Sequence, residues 1–352
     1  MKTLKDFDFQ GKRVLLRTDF NVPLSKQGDI LDDFRIQAAA PSIKYLIKNR
    51  AKVILISHLG RPGQTHNSKL KTKKRFSLQP VALNLEKLLK KKVKFLPDAI
   101  GKEVEKEIAK MRAGEIVLLE NIRFYKEEEE NNPEFAEKIA KLGDIYINDA
   151  FAVCHRPHAS IVGIPKYLQS GIGLLIEKEI NTLSKILKNP NRPFITIIGG
   201  KKVETKVKFI DKISKVSDFV LIGGLIPKEI EEQNMKLKEP EKIILPVDWV
   251  DSGDIGEKTI KIFIEKIKKA KTIFWNGPLG KTEEKRFSKA TREIAKAVVD
   301  SKAFSIVGGG ETIEFLTRIG LIKKINFVST GGGAMLDYIV DEKLLGLEVL
   351  KF

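Results

Sequence analysis

The stretch from residue 194 to residue 216 reads FITIIGGKKVETKVKFIDKISKV. Its first five residues, Phe194–Ile198, are apolar or β-branched and predict a buried strand. Gly199 and Gly200 interrupt this run, and apolar residues then recur with helical spacing from Lys206 to Val216. A strand that passes through glycines into an amphipathic helix is part of a βαβ unit. This stretch therefore predicts an α/β fold with a parallel sheet.

The same pattern recurs along the chain, where short β-branched runs alternate with longer helical segments. The predicted strands are Arg13–Arg17, Val53–Ser57, Ile116–Leu119, Ile145–Asn148, Phe194–Ile198, Phe219–Ile222, Ile243–Leu245, Thr272–Trp275, Phe304–Val307 and Phe327–Ser329. Predicted helices include Pro133–Leu142, Lys206–Val216 and Lys285–Asp300. The alternation predicts two doubly wound, Rossmann-like parallel sheets with helices on both faces.

The length of 352 residues predicts two domains. A boundary is expected within residues 165–192, where a predicted helix, Leu174–Leu187, ends at Asn189-Pro190-Asn191. We assign residues 1–170 to the first domain and 171–339 to the second. This helix and its flanks are candidates for a hinge beside a cleft between the domains.

The chain is strongly basic, with 64 Lys and Arg against 46 Asp and Glu, a net charge of +18. Such a surface suits nucleic acid, or small polyanions that it steers into a cleft, and charge alone does not choose between them. Cys154 is the only cysteine, so no internal disulfide is expected. The sequence starts without a signal-peptide pattern and contains no run of about 18 apolar residues. We therefore expect a soluble cytoplasmic protein.

Basic side chains follow the predicted strands of the first half. Because the carboxyl ends of parallel strands meet at one edge of a sheet, these residues are expected to converge. The arginines at or near these positions are Arg17, Arg35, Arg61, Arg123 and Arg156. Arginine binds phosphate and carboxylate through a fixed fork of donors, and His58 and His155 add further donors. The set predicts a pocket for a phosphorylated acid.

Glycine clusters follow three strands of the second half and each opens a helix, at Gly199–Gly200, Gly308–Gly310 and Gly331–Gly333. Glycines let backbone N–H groups approach phosphate oxygens, and a helix N-terminus favours their negative charge. With Lys202 and Lys206 nearby, the clusters predict a nucleotide-phosphate site. Glu311, at the start of one of these helices, is a candidate Mg²⁺ ligand. The sequence from 277 to 282, GPLGKT, is not a Walker A loop, because Trp275 stands where the first glycine is needed.

Taken together, these segments resemble the phosphoglycerate kinase family over nearly the whole chain. The blocks that carry the resemblance are Arg17–Pro23, Ser57–Pro62, Glu120–Phe124, Asn148–Phe151, Trp275–Pro278, Gly308–Gly310 and Ser329–Ala334. The resemblance implies reversible phosphoryl transfer from 1,3-bisphosphoglycerate to MgADP, giving 3-phosphoglycerate and MgATP. It also implies that the C-terminal segment 340–352 docks on the first domain.

The resemblance assigns roles to individual residues. The acid-binding set it implies is Asp19, Asn21, Arg35, His58, Arg61, Arg123 and Arg156. The nucleotide-binding set it implies is Lys206, Glu283, Gly309, Gly310, Glu311 and Thr312, with Glu283 on the ribose and Glu311 near Mg²⁺. The groups implied to hold the transferring phosphoryl are Arg35, Lys202, Gly309 and Gly332. The expected partners are small-molecule substrates, with the protein a monomer and neither membrane nor nucleic acid involved.

The chain departs from the family pattern on the nucleotide side. It is shorter between Gly224 and Gly256, Glu311 replaces an aspartate, and Lys281 and Thr282 replace apolar residues. Two alternatives follow: a non-catalytic relative that binds anions or nucleic acid through the basic cleft, and a kinase for another acyl phosphate. The nearly intact acid-binding set argues against the second of these.

Overall fold

The computed structural model describes residues 1–64, 74–200 and 204–350. The chain forms two compact units by its internal contacts: Met1–Ile180 together with the residues after Glu342, and Asn181–Glu342. Helix α6, Leu174–Lys188, contains the boundary between the two units. The boundary predicted from the sequence lies before this helix, at 170/171. The start of α6 stays with unit 1 because Leu174 packs on that unit's core and Ile176 is fully buried.

Unit 1 contains a six-stranded sheet in which every neighbouring pair is parallel. Its strands are β1 Arg13–Arg17, β2 Lys52–Ile56, β3 Val93–Phe95, β4 Ile116–Leu118, β5 Ile145–Asn148 and β6 Gln169–Ile172. The spatial order is β3-β4-β2-β1-β5-β6. The central strands carry aliphatic side chains that are buried on both faces, as a sheet covered by helices requires.

The helices of unit 1 follow the strands in alternation. They are α1 Phe34–Lys48, α2 Gln79–Leu89, α3 Lys102–Ala109, α4 Lys126–Glu129, α5 Pro133–Ala140 and, after unit 2, α13 Leu345–Glu348. The last of these returns to unit 1, where Gly346 N–H donates to Cys154 O at 2.8 Å.

Unit 2 contains a second six-stranded parallel sheet in the order β14-β13-β12-β7-β8-β9. Its strands are β7 Phe194–Ile198, β8 Phe219–Ile222, β9 Ile243–Ile244, β12 Thr272–Asn276, β13 Phe304–Gly308 and β14 Phe327–Val328. A separate antiparallel pair joins β10 Trp249–Val250 to β11 Asp254–Ile255. The helices are α7 Glu204–Ser214, α8 Ile226–Glu232, α9 Glu257–Lys268, α10 Lys289–Asp300, α11 Gly310–Arg318 and α12 Gly333–Asp341.

The predicted fold class, two doubly wound parallel sheets, is confirmed. The predicted helix Lys285–Asp300 begins later, at Lys289, after a separate 3-10 turn over Lys285–Phe287. Among the strands of the described residues, β3, β6, β10 and β11 were not predicted. In the described residues, no helix combines the length and apolar character needed to cross a membrane.

Candidate active site

The predicted acid-site residues of unit 1 lie at the carboxyl edge of its sheet. Arg17 at the end of β1 is in register with Ile56 of β2 and Asn148 of β5. Leu55 of β2 is in register with Leu118 of β4. Because four strands end at the same level, the segments that follow them collect at one edge, as the sequence predicted.

Asp19 links several of these segments. The Arg35 guanidinium donates to Asp19 Oδ2 in a hydrogen-bonded ion pair, and Asn21 N–H donates to Asp19 Oδ1 at 3.0 Å. His58 Nε2 lies 3.9 Å from the same Oδ1. The carboxylate is buried, whereas the Arg35 side chain is 29% exposed. Arg35 therefore has its charge partly balanced and still faces solvent.

The loop after β2 is held by side chains from two other loops. Gly60 N–H donates to Asn21 Oδ1 at 2.8 Å, and Gly60 O accepts from Arg123 Nη1 at 2.9 Å. Asn121 Nδ2 donates to Leu59 O at 2.7 Å. Burial, followed by the positive charge of Arg17, lowers the pKa of Arg123 to about 10. Arg123 therefore remains charged at neutral pH.

His58 is buried among cations. Its pKa lies well below the ordinary histidine value, first because of burial and then because of neighbouring positive charge. The cationic or basic neighbours are Arg123, Arg17, Arg35 and His158. His58 is therefore neutral at neutral pH and can donate from one ring nitrogen while accepting at the other.

The remaining basic residues lie on the same edge. Arg61 is exposed in the loop after β2. Arg156 is half-buried in the turn after β5, and its charge helps to lower the pKa of Arg123. His155, also half-buried, neighbours His158. The edge thus concentrates positive charge, as a binding site for a polyanion requires.

Glycines form the carboxyl edge of the unit 2 sheet. The positive-φ glycines there include Gly200 at 88°, Gly277 at 93°, Gly309 at 93° and Gly332 at 51°. Gly309 and Gly332 directly precede α11 and α12. Gly277 is held on both sides, because its N–H donates to Thr312 Oγ1 at 3.0 Å and its carbonyl accepts from Trp275 Nε1 at 2.8 Å.

These glycines surround an open recess, which we call the phosphate recess. Its lining includes Gly200, Lys206, Asn276, Gly277, Gly309, Gly310, Glu311, Thr312, Gly332 and Asp337. Five residues predicted for the nucleotide site thus line it, and so does Gly332. Two helix N-termini open into it, a geometry that favours phosphate.

Lys206 is the buried cation of the phosphate recess. Its side chain is only 7% exposed, and Nζ donates to Gly199 O. Burial lowers the pKa of Lys206 to about 8, while Glu311 opposes this change. A lysine in these surroundings gains from an arriving phosphate, because the phosphate supplies negative charge that the buried ammonium lacks.

A second recess, which we call the base recess, adjoins the first through Gly200 and Glu311. It is lined by Gly200, Gly224, Leu225, Ser252, Gly253, Pro278, Gly280, Lys281, Glu283 and Glu311. Glu283, predicted to meet the ribose, thus lines the same recess as Glu311. Lys281 lines this recess as well.

The chemistry of the phosphate recess fits a nucleotide-borne Mg²⁺. Mg²⁺ typically takes one or two protein carboxylates and completes its shell with water and phosphate. Glu311 and Asp337 both line this recess. Within residues 1–64, 74–200 and 204–350, no group of three His, Cys, Asp or Glu side chains could hold a metal by itself.

One predicted site residue lies outside the described part of the chain, and other residues that line the recess were not predicted. Lys202 falls outside the described residues, so its placement is not described. Asn276 and Gly277 were not assigned to the site, although they follow the predicted strand Thr272–Trp275, where the strand-end rule would have found them. Asp337 lies inside α12, and nothing in its local sequence signals a site.

Comparison with known proteins identifies the family. The family model described as phosphoglycerate kinase matches residues 4–231 and 226–342. The two matches meet in the interval between Gly224 and Gly256, where the sequence is expected to be shorter than the family. The alignment to the phosphoglycerate kinase of Borrelia hermsii spans 396 residues, more than the 352 of this chain.

Curated relatives and solved structures agree with that match. The chain is 43% identical to the Borrelia hermsii enzyme, covering 100% of this chain and 99% of the relative. It is 45% identical to the phosphoglycerate kinase of Dictyoglomus turgidum, with 99% and 98% covered. The solved phosphoglycerate kinase of Pyrococcus horikoshii OT3 superposes with a TM-score of 0.86 at 32% identity, with 100% and 98% covered. The Coxiella burnetii structure gives 0.81 at 32% identity, with 99% and 98% covered.

Similarity over the full length to named kinases does not favour the alternative of a non-catalytic anion- or nucleic-acid-binding relative. The two recesses of unit 2 and the basic edge of unit 1 are the features that such a kinase needs. The chain belongs to the phosphoglycerate kinase family and is a kinase of that type.

Proposed function

We propose that the two units divide the substrates of the phosphoglycerate kinase reaction between them. Unit 1 binds 3-phosphoglycerate or 1,3-bisphosphoglycerate, and unit 2 binds ATP or ADP with Mg²⁺. In the ATP-forming direction, the bond between the acyl oxygen and phosphorus breaks. A bond forms between that phosphorus and a β-phosphate oxygen of ADP, and a carboxylate is released.

The observation that carries this proposal is the concentration of positive charge at the carboxyl edge of unit 1. Arg123 and Arg35 are held there by a backbone carbonyl and by Asp19, respectively. The seven residues that we assign to the acid site are Asp19, Asn21, Arg35, His58, Arg61, Arg123 and Arg156. The arginines and His58 donate to phosphate and carboxylate oxygens, while Asp19 and Asn21 hold the loops in position.

In unit 2 we assign the phosphate recess to the nucleotide phosphates and the base recess to the base and ribose. Amides preceding α11 and α12, together with Lys206, donate to phosphate oxygens. Glu283 accepts from the ribose hydroxyls. Glu311, with Asp337, would hold Mg²⁺, which neutralises charge on the phosphates when bound.

An acyl phosphate is already an active donor, so this chemistry needs alignment and charge stabilisation and no covalent nucleophile. We assign Arg35, Lys202, Gly309 and Gly332 to the equatorial oxygens of the transferring phosphoryl group. One transition-state arginine contributes about 10³–10⁵ in rate in other phosphoryl-transfer enzymes. Because donor and acceptor are assigned to different units, we also propose closure about α6, which excludes water.

We propose further that the enzyme is a monomer and that it acts in the cytoplasm.

The experiment that tests the proposal is turnover of 3-phosphoglycerate with MgATP by wild type, Arg123→Met and Arg13→Met. Arg123→Met should raise the KM for 3-phosphoglycerate about 10–100-fold, the loss expected for one hydrogen bond to a charged group. Arg13 is the matched control, because it pairs with Asp144 at the start of β1, away from the carboxyl edge. Its variant should keep wild-type kinetics.

Circular dichroism and thermal unfolding of each variant establish that the protein is folded. An unchanged KM for 3-phosphoglycerate in a folded Arg123→Met variant would remove Arg123 from the acid site. Absence of turnover by folded wild type with 3-phosphoglycerate and MgATP would refute the proposed division of substrates.

A further inference from the structure

Arg17 lies beneath the acid site of unit 1 and does not reach its surface. The side chain is 0% exposed. Its Nε donates to Ser160 Oγ at 2.8 Å, and its Nη1 donates to Thr18 O. Its Nη2 lies 3.3 Å from His58 Nδ1. Arg17 therefore acts on a bound acid only through the residues that it contacts.

The contact with Arg17 determines which nitrogen of His58 carries the proton. A guanidinium has donors and no acceptor, so in this contact His58 Nδ1 must be the acceptor. The proton of the neutral ring is then on Nε2. That nitrogen lies 3.9 Å from Asp19 Oδ1, on the side where Asp19 pairs with Arg35.

Glu128 compensates the buried positive charge of Arg17. It is also 0% exposed, and Glu128 Oε1 lies 4.0 Å from Arg17 Nη2. Ser160 donates to Glu128 twice, from its hydroxyl at 2.6 Å and its backbone N–H at 2.8 Å. Because an unpaired buried charge is very unfavourable, this arrangement holds the guanidinium in place.

We propose that Arg17, held by Glu128 and Ser160, is a positioning residue that fixes His58 as a neutral Nε2–H donor to an anionic oxygen of the bound acid. The assignment of that acid to unit 1 rests on the proposed function. The charged and titratable groups that face His58 are Arg17, Asp19, Arg35, Arg123 and His158. Without Arg17, Nδ1 loses its donor and the proton can occupy either nitrogen.

Nuclear magnetic resonance of ¹⁵N-histidine-labelled protein tests this inference directly. The chain has 4 histidines, so only four ring patterns are expected, and His58→Gln identifies the one from His58. The wild-type ring should show the Nε2–H tautomer without titrating across neutral pH. A wild-type ring protonated on Nδ1 would overturn the proposal whatever the variants do.

Two variants separate positioning from folding. Arg17→Met combined with Glu128→Gln removes both buried charges, so neither remains uncompensated. This variant should show both tautomers and a KM for 3-phosphoglycerate raised about tenfold, with kcat less affected. Arg17→Lys keeps a cationic donor and should restore the Nε2–H tautomer, at least in part. An unchanged tautomer in the folded double variant would show that Arg17 does not set it.

The readouts distinguish this inference from the proposed function. If wild type fails to turn over 3-phosphoglycerate, the substrate assignment fails, while the tautomer is still measured. If wild type is active and the tautomer is independent of Arg17, the inference alone is wrong.

Discussion

Lys206 shows how burial at a single residue sets a pH dependence. The folded pKa is about 8, and the ordinary value of the side chain is 10.5. Between these values the unfolded chain holds a proton that the folded protein has lost. The free energy of unfolding should therefore rise with pH through that window as far as this residue is concerned.

The same pKa affects nucleotide binding in the opposite direction. Binding should weaken as pH rises, because a phosphate binds the charged form of Lys206. We predict that the KM for ATP rises as the pH passes above about 8, and that Lys206→Arg, which stays charged, removes this rise. Lys212→Arg on the same helix is the control, since Lys212 pairs with Glu342 at the surface. A steady-state pH series checks this, and an equal rise in Lys206→Arg would assign the effect to another group.

Glu311 is tested through its metal. Removing one of the few carboxylates of the phosphate recess should weaken Mg²⁺ binding, so Glu311→Ala should raise the Mg²⁺ concentration at half-maximal rate severalfold. Glu314→Ala is the matched control on the same helix, where Glu314 is exposed and does not line either recess. A metal titration at saturating ATP measures both variants. An unchanged midpoint for Glu311→Ala would remove this residue from the metal site.

The start of α6 depends on one buried carboxylate. Asp149 Oδ1 accepts from Leu175 N–H at 2.9 Å and from Ile176 N–H at 3.3 Å. Gly173 lacks a side chain where the carboxylate of Asp149 would meet it. Burial raises the pKa of Asp149 to about 7, although hydrogen bonds from Ser42, Ile176 and Leu175 oppose the rise.

The raised pKa gives the cap of α6 a predicted dependence on pH. From about pH 4 to about pH 7 the folded state holds a proton that the unfolded chain has lost. The free energy of unfolding should therefore fall with rising pH, by up to about 1.4 kcal/mol per pH unit from this group. Asp149→Asn should remove that contribution. The free energy of unfolding of the variant, measured relative to that of wild type, should therefore increase as pH rises. Urea unfolding at several pH values measures this difference.

Asp144→Asn provides a control of opposite sign. Although burial raises the pKa of Asp144, hydrogen bonds from Arg13 lower it overall. Its contribution to stability is present above the unfolded pKa and is lost as pH falls through the folded value. The difference between wild type and Asp144→Asn should therefore grow with rising pH. Equal pH trends in both variants would contradict the role assigned to Asp149.

The sequence predicted the strands and helices whose own residues carry a clear apolar pattern. Central strands such as β7 are continuous apolar runs, and all five of its residues are buried. In contrast, β6 reads Gln169-Ser170-Gly171-Ile172, and β3 has only three residues, with Lys94 exposed. Such edge strands form because a neighbouring strand offers hydrogen bonds, and this is not visible in local sequence.

The candidate site likewise contains residues that local sequence predicted and residues that only the packing reveals. The strand-end rule located the basic edge of unit 1 and the glycines of unit 2, because position after a strand is a property of local sequence. Glu128 was missed because it lies in the acidic run Glu127–Glu130, which resembles a solvated surface. Only the packing of α4 shows that this one member is fully buried beside Arg17.

The proposed reaction requires the substrates bound by the two units to meet. We predict that 3-phosphoglycerate together with a MgATP analogue lowers the radius of gyration, and that either ligand alone has a smaller effect. Small-angle scattering of wild type measures this, with Arg123→Met at the same ligand concentrations as the control. Similar profiles for the free and doubly liganded protein would refute closure about α6.

The return of the C-terminus to unit 1 has a consequence for synthesis on the ribosome. Asn148 Nδ2 donates to Gly346 O at 3.3 Å, and Leu347 and Leu350 are buried in the same region. Because these residues follow unit 2 along the chain, synthesis of unit 1 starts before unit 2 but is completed after it. Unit 2 is a continuous segment that can fold as soon as it leaves the exit tunnel. A released chain truncated after Glu342 would thus carry a complete second unit and an incomplete first one.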